Sequence, residues 1–182
     1  IEKAKRIEDK VIAYRIRVEA IACENQLQRC LEIGTSSLKE MGVTVPKKIN
    51  MARLVVIILR VNRLVRGKSD QDILNMPLIT DLRLSSAARI LSILVGAALF
   101  LQMEEACAYF SMVGLELSLK HGLSAYTSTT LATYAMIQLG MGSPKNAMRF
   151  ESLCLDLVNQ VPFPHTESYG VMIATNFVST GY

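Results

Sequence analysis

Apolar residues recur every three or four positions along almost the whole chain. In the first segment Ile7, Val11, Tyr14, Val18 and Ile21 fall on one face of a helix. No stretch alternates apolar and polar residues as a half-buried strand does. With only 10 glycines and 5 prolines in 182 residues, the chain also lacks the turn density of a β-sandwich. The sequence therefore predicts an all-α protein.

Capping residues predict where the helices begin and end. Asn50 can cap a helix over 51–66 that Gly67 ends, and Ser69 with Asp72 follows the capping-box pattern. Short connections make sequential helices antiparallel. One segment, 1–182, is predicted, with hairpins at about 2–42, 50–77, 81–121 and 124–160 and a truncated last helix at 166–182.

Small residues occur early in the second helix of three of these pairs, where they would let two helices approach closely. They are Cys30, Ala106 and Ala147. Paired helices that recur every 35 to 45 residues or so are typical of tetratricopeptide-like (TPR-like) repeats. The chain has no Trp and the period is irregular. The predicted architecture is stacked antiparallel helical hairpins, a degenerate TPR-like α-solenoid.

Composition and cysteine usage indicate an intracellular, cytoplasmic protein. The net charge of +4 is too small to indicate a nucleic-acid partner, and none is expected. Four cysteines lie in apolar stretches without a C-x-x-C pair, so buried reduced thiols are predicted. The chain begins at Ile1 without an apolar leader, and we expect a segment of a longer protein. The apolar stretch 87–103 is interpreted as a fully buried helix rather than a membrane span.

Motifs of catalysis and cofactor binding are absent from the sequence. There is no phosphate-binding G-x-x-x-x-G-K-[ST] loop and no G-x-G-x-x-G after a strand. The two histidines, His121 and His165, are far apart, and His121 is expected to end a helix. No Cys/His cluster has the spacing of a zinc site. The sequence thus predicts no catalytic residue, no cofactor and no metal site.

Basic residues surround the helix predicted at 51–66. Such a patch could dock an anionic partner such as a membrane surface, RNA or an acidic protein. The alternative is the solvated edge of a mostly buried helix, with arginine stems packed on apolar neighbours. The absence of interleaved aromatic residues argues against single-stranded nucleic acid. The candidate patch is Arg53, Arg60, Arg63, Arg66 and Lys68, with Lys47 and Lys48 nearby.

Three stretches, 15–46, 63–94 and 116–157, carry a resemblance to a known family. The matching positions are Met41, Gly42 and Pro46; then Arg66, Gly67, Ser69, Asp72, Leu74, Pro77, Thr80 and Asp81; then Glu116 to Ser124. Together they resemble the TPR-like region of large multidomain signalling proteins. In that family a Ser/Thr-kinase-like domain and an AAA-type ATPase domain come first, and a GAF sensor and a histidine kinase often follow. Met76 departs from the family's pattern, which has a second proline there.

The resemblance implies a non-catalytic helical-repeat scaffold within a signalling kinase or ATPase. Its partners would be another protein or flanking domains of the same chain. Self-association is also expected, because an isolated piece of a repeat array exposes the apolar faces of its first and last helices. The alternative is a membrane-surface protein that uses the basic helix 51–68, although a membrane partner is not the one expected. A third, weaker alternative is a small helical enzyme. Flotation with anionic liposomes separates the first two.

Overall fold

The computed structural model describes residues 7–160, and in that range every regular element is a helix. The prediction of an all-α chain is confirmed for this range, whereas the TPR-like solenoid stays a prediction. The predicted last helix at 166–182 lies outside the described residues. The eight helices are α1 (Ile7–Cys23), α2 (Leu27–Glu40), α3 (Met51–Arg66), α4 (Asp70–Leu74), α5 (Leu82–Phe100), α6 (Glu104–His121), α7 (Thr127–Gly140) and α8 (Pro144–Gln160).

Local capping signals set most of these boundaries. The Asn50 side chain accepts a hydrogen bond from the Arg53 amide at 3.1 Å. Ser69 and Asp72 form the predicted capping box at the start of α4. One start differs from its prediction, because α7 begins at Thr127 and not at Ser124. The Ser124 amide donates instead to the Thr127 hydroxyl at 2.8 Å, which closes a turn ahead of the helix.

The described chain divides into two compact units. The first contains residues up to Leu59 together with Ile79–Val113, and the second contains Arg60–Leu78 and the residues from Gly114 onward. The first unit therefore holds α1, α2, α5 and the first parts of α3 and α6. The second holds α4, α7, α8 and the remaining parts of α3 and α6.

In the first unit, α5 packs against both α1 and α2, which also pack on each other. Gly34 of α2 allows the close approach, since a Cβ atom there would lie 2.5 Å from a Leu94 methyl group of α5. An ion pair of 2.8 Å between Arg89 and Glu19 joins α5 to α1. The buried face of α2 includes Cys30 and Leu38, both fully buried.

In the second unit, α7 and α8 pack along their lengths, and α4 contacts α8. The rings of Tyr134 and Phe150 meet edge to face with centroids 4.7 Å apart. The Leu123 amide donates to the Pro77 carbonyl at 2.8 Å, which ties the segment after α4 to the end of α6.

Three connections share one backbone design, a three-residue turn whose middle residue is left-handed. The middle residues are Asn25 (φ 57°), Gln102 (φ 56°) and Gly142 (φ 73°). In each turn the following amide donates to a carbonyl five residues back, which is the Schellman pattern at a helix end. These bonds run from Gln26 to Ile21, from Met103 to Ala98 and from Ser143 to Gln138, at 3.2, 2.9 and 2.9 Å.

The prediction that the stretch 87–103 is fully buried is wrong. Helix α5 exposes Leu99 and Phe100 at its end, with Phe100 79% exposed. In α6, by contrast, every residue from 111 to 119 is buried. Of the helices in the described range, α5 alone has the length and apolar composition to cross a membrane, and half of its most apolar window is buried.

The contact between Gly34 and Leu94 gives a stability prediction. Helix propensity alone would make Gly34→Ala stabilising by about 1 kcal/mol. We expect Gly34→Ala to lower the free energy of unfolding by roughly 1–2 kcal/mol, because the new methyl group overlaps a buried leucine. Leu94→Ala alone should cost about 2–5 kcal/mol. Urea denaturation of the double variant should show a coupling of at least ~1 kcal/mol, and strictly additive losses would contradict the contact.

Candidate interaction surface

An open groove of about 820 Å³ lies in the first unit. One side is formed by α2, from Gln28 through Glu32 and Ser36 to Lys39. These residues follow helical spacing, so they form one face that extends roughly 16 Å along the helix. The loop 45–49 and the residues 102–106 at the start of α6 form the remaining borders. An elongated groove of this length suits a short stretch of polypeptide.

The base of the groove is apolar. Leu31, Ala106 and Phe110 all contribute to it and are 8%, 4% and 2% exposed. Val45 and Ile49 of the loop add half-buried aliphatic surface. An apolar base with polar borders is the usual composition of a ligand-binding groove.

Charges of both signs border the groove. Lys39, Lys47 and Lys48 are exposed there, and so are Glu32, Glu104 and Glu105. Within residues 7–160, none of these six side chains takes part in an ion pair. The groove therefore presents unpaired cations and carboxylates to whatever enters it.

The predicted basic patch does not contribute to this groove. Arg53 is exposed in the first unit, whereas Arg60, Arg63, Arg66 and Lys68 belong to the second. The role of these five residues as an anionic-partner site stays a prediction.

Contacts in the second unit already occupy part of the patch. Arg60 lies 3.6 Å from the Glu116 carboxylate, which also pairs with Lys120 at 2.7 Å. The Lys68 carbonyl accepts a hydrogen bond from Arg149 at 3.2 Å, and the Lys68 side chain is half-buried. Arg63 and Arg66 remain exposed and make no ion pair with any described residue. Among the described contacts, the Arg60 charge is thus partly neutralised by a carboxylate, whereas those of Arg63 and Arg66 are not.

Helix α3 exposes apolar side chains that the sequence interpretation assigned to a mostly buried helix. In the first unit Met51, Val55, Val56 and Leu59 are 46–60% exposed. All exposed residues of α3 are either apolar or arginine. The signal was present in the sequence, because six consecutive apolar residues at 54–59 go fully around a helix and cannot all face one side.

Three of the four cysteines, Cys30, Cys107 and Cys154, have buried or half-buried side chains. Burial raises the pKa of the Cys30 and Cys107 thiols. Burial, helped by the Glu151 carboxylate, raises the pKa of Cys154 to about 12. No disulfide joins any of the four cysteines, all of which lie within the described range. Cys23 departs from the prediction of buried thiols, because it is exposed at the end of α1.

Other polar side chains in the second unit form hydrogen bonds with each other inside the fold. The Tyr134 hydroxyl and the Gln138 amide both donate to the Asn62 side-chain oxygen, the latter at 3.3 Å. Burial raises the pKa of the Tyr134 phenol. His121 ends α6 as the sequence predicts, and His165 lies outside the described residues. Across residues 7–160 no group of three His, Cys, Asp or Glu residues has a geometry that could hold a metal ion.

Comparison with known proteins gives no match to any protein family, curated protein or solved structure. The resemblance to signalling kinases and ATPases therefore stays a prediction from the sequence.

Thiol burial predicts selective labelling. With a disulfide reagent at pH 8 and no denaturant, we expect Cys23 to react at once, because it is exposed. Cys30 and Cys154 should react only after denaturation, since buried thiols with a raised pKa provide little thiolate. Mass spectrometry of the labelled peptides locates the sites. Rapid native labelling of Cys154 would contradict its burial in α8.

The raised pKa of Cys154 also predicts a loss of stability in alkali. Folding raises the pKa of this thiol from an ordinary value of 9.0 to about 12. Protonation therefore favours the folded state, with the full contribution present below pH 9.0 and lost as the pH rises toward 12. Urea denaturation between pH 8 and pH 11 should show a smaller loss for Cys154→Ala than for the control Cys23→Ala. Equal losses in the two variants would refute the shift.

Proposed function

We propose that this chain is a non-catalytic helical scaffold that docks a polypeptide segment in the groove of the first unit. The observation that carries the proposal is the combination of an apolar base with unpaired charges of both signs. Apolar side chains of a partner would gain burial on Leu31 and Phe110, while the charged borders would select its sequence. The proposal assigns no reaction to the chain.

The rigidity of α2 supports this function. One face of α2 is buried against α1 and α5, and the groove is formed by the adjoining exposed face, with Leu31 at the boundary between the two. A side chain on a helix fixed in this way loses little further freedom on binding, so more of the contact energy contributes to affinity. The resemblance to signalling proteins adds the expectation that the docked segment belongs to a kinase or ATPase, or to a flanking domain of the same chain.

A random peptide library displayed against the whole chain tests the proposal. We expect selected peptides to share an apolar residue flanked by charged ones and to bind with a dissociation constant of about 1–100 μM. Ser36→Trp should weaken that binding at least ~10-fold by filling the groove. Ser152→Trp is the matched control, since it places the same ring at an exposed serine of α8 in the second unit.

Absence of a shared motif among selected peptides would count against the docking function. Equal binding by the Ser36→Trp and Ser152→Trp variants would place the interaction elsewhere. Circular dichroism of both variants shows whether the helical fold is retained.

A further inference from the structure

We propose that the groove of the first unit binds a second copy of this chain. The inference rests on the proposed docking function and names the partner. In the resulting twofold-symmetric dimer, Lys47 and Lys48 of one copy meet Glu104 and Glu105 of the other.

The charges of the groove are complementary to themselves. Its basic border includes Lys47 and Lys48, and its acidic border includes Glu104 and Glu105. A twofold axis that runs between the two borders places the basic border of each copy against the acidic border of the other, because a twofold interface brings the same patch together from both sides. Each pairing then occurs twice, and charges left without partners in one chain are neutralised.

Exposed apolar side chains lie close in sequence to the same borders. Of the twelve large apolar side chains that are exposed among residues 7–160, seven come from the two segments 51–59 and 99–103 of the first unit. Helix α3 begins two residues after Ile49, which borders the groove, and Met103 borders the groove itself. Phe100, at 79% exposure, is the most exposed of these seven side chains. Soluble chains rarely expose contiguous apolar patches unless these form an interface, and a dimer contact over these segments would cover the exposed side chains.

The start of α3 adds a preference for carboxylates. Between residues 41 and 69 the chain has seven basic residues and no acidic one. The first turn of α3 accordingly has no acidic side chain, and Lys47 and Lys48 precede it. A carboxylate from a partner gains both from these cations and from the positive end of the helix dipole.

A protein partner fits this surface better than an anionic membrane does. Glu32, Glu104 and Glu105 border the same groove as the lysines and would repel anionic headgroups. A second copy supplies both signs of charge where they are needed. The lipid surface is kept as an outcome of the test.

Sedimentation equilibrium on the whole chain and two charge-swap variants tests the dimer. The wild type should be dimeric at about 10–100 μM. Lys47→Glu/Lys48→Glu and Glu104→Lys/Glu105→Lys should each weaken self-association at least ~10-fold, since like charges then meet across the interface. An equimolar mixture of the two variants should restore a 1:1 dimer, which also shows that both are folded. Lys145→Glu/Asp156→Lys, at exposed positions of α8 in the second unit, is the control and should stay dimeric.

The other results overturn the inference. A wild type that is monomeric throughout this range, or a mixture that fails to restore the dimer, excludes a second copy as the partner. Flotation of a monomeric wild type with anionic vesicles assigns the surface to lipid. If the monomer still binds selected peptides in a way that Ser36→Trp abolishes, docking stands and only the identity of the partner is wrong. If the wild type is monomeric and also binds no selected peptide in the groove, the proposed docking function is wrong as well.

Discussion

The packing of α5 against the α1–α2 pair is the interaction on which the candidate site depends. It buries one face of α2, including Cys30, Gly34 and Leu38, and so fixes that helix in place. The adjoining exposed face of α2 carries Gln28, Glu32, Ser36 and Lys39 and becomes one side of the groove. A helix with a strongly one-sided distribution of apolar residues can serve core and surface at once. Substitutions beneath the groove should therefore disturb it even when they touch none of its lining.

Much of the secondary structure could be predicted from the sequence because its signals are local. Asn50 and the Ser69–Asp72 capping box each act within one helical turn, and the structure has helices starting at both places. The left-handed residue at Gln102 was harder to foresee, since glycine or asparagine usually occupies such a position. Its turn is nevertheless of the same kind as those at Asn25 and Gly142.

The candidate site was less predictable because it combines residues distant in sequence. Glu104 and Glu105 look like ordinary helix-start carboxylates until the fold brings them to the same groove as Lys47 and Lys48. Arg60 looks like a surface cation, yet it lies near Glu116 in the folded second unit. Burial is likewise a tertiary property: the apolar composition of 87–103 predicted a fully buried helix, yet the end of α5 is exposed, while residues 111–119 of α6 are all buried. The sequence shows which side chains are charged, but only the fold shows which opposite charge lies next to each of them.

Hydrogen–deuterium exchange of the whole chain at low and high concentration, and with a selected peptide, tests docking in the first-unit groove most directly. Occupancy of the groove predicts slower exchange in residues 28–39, 45–51 and 102–106, with α7 and α8 unchanged. Protection confined to α7 and α8, or no change at any concentration or with any peptide, would contradict it.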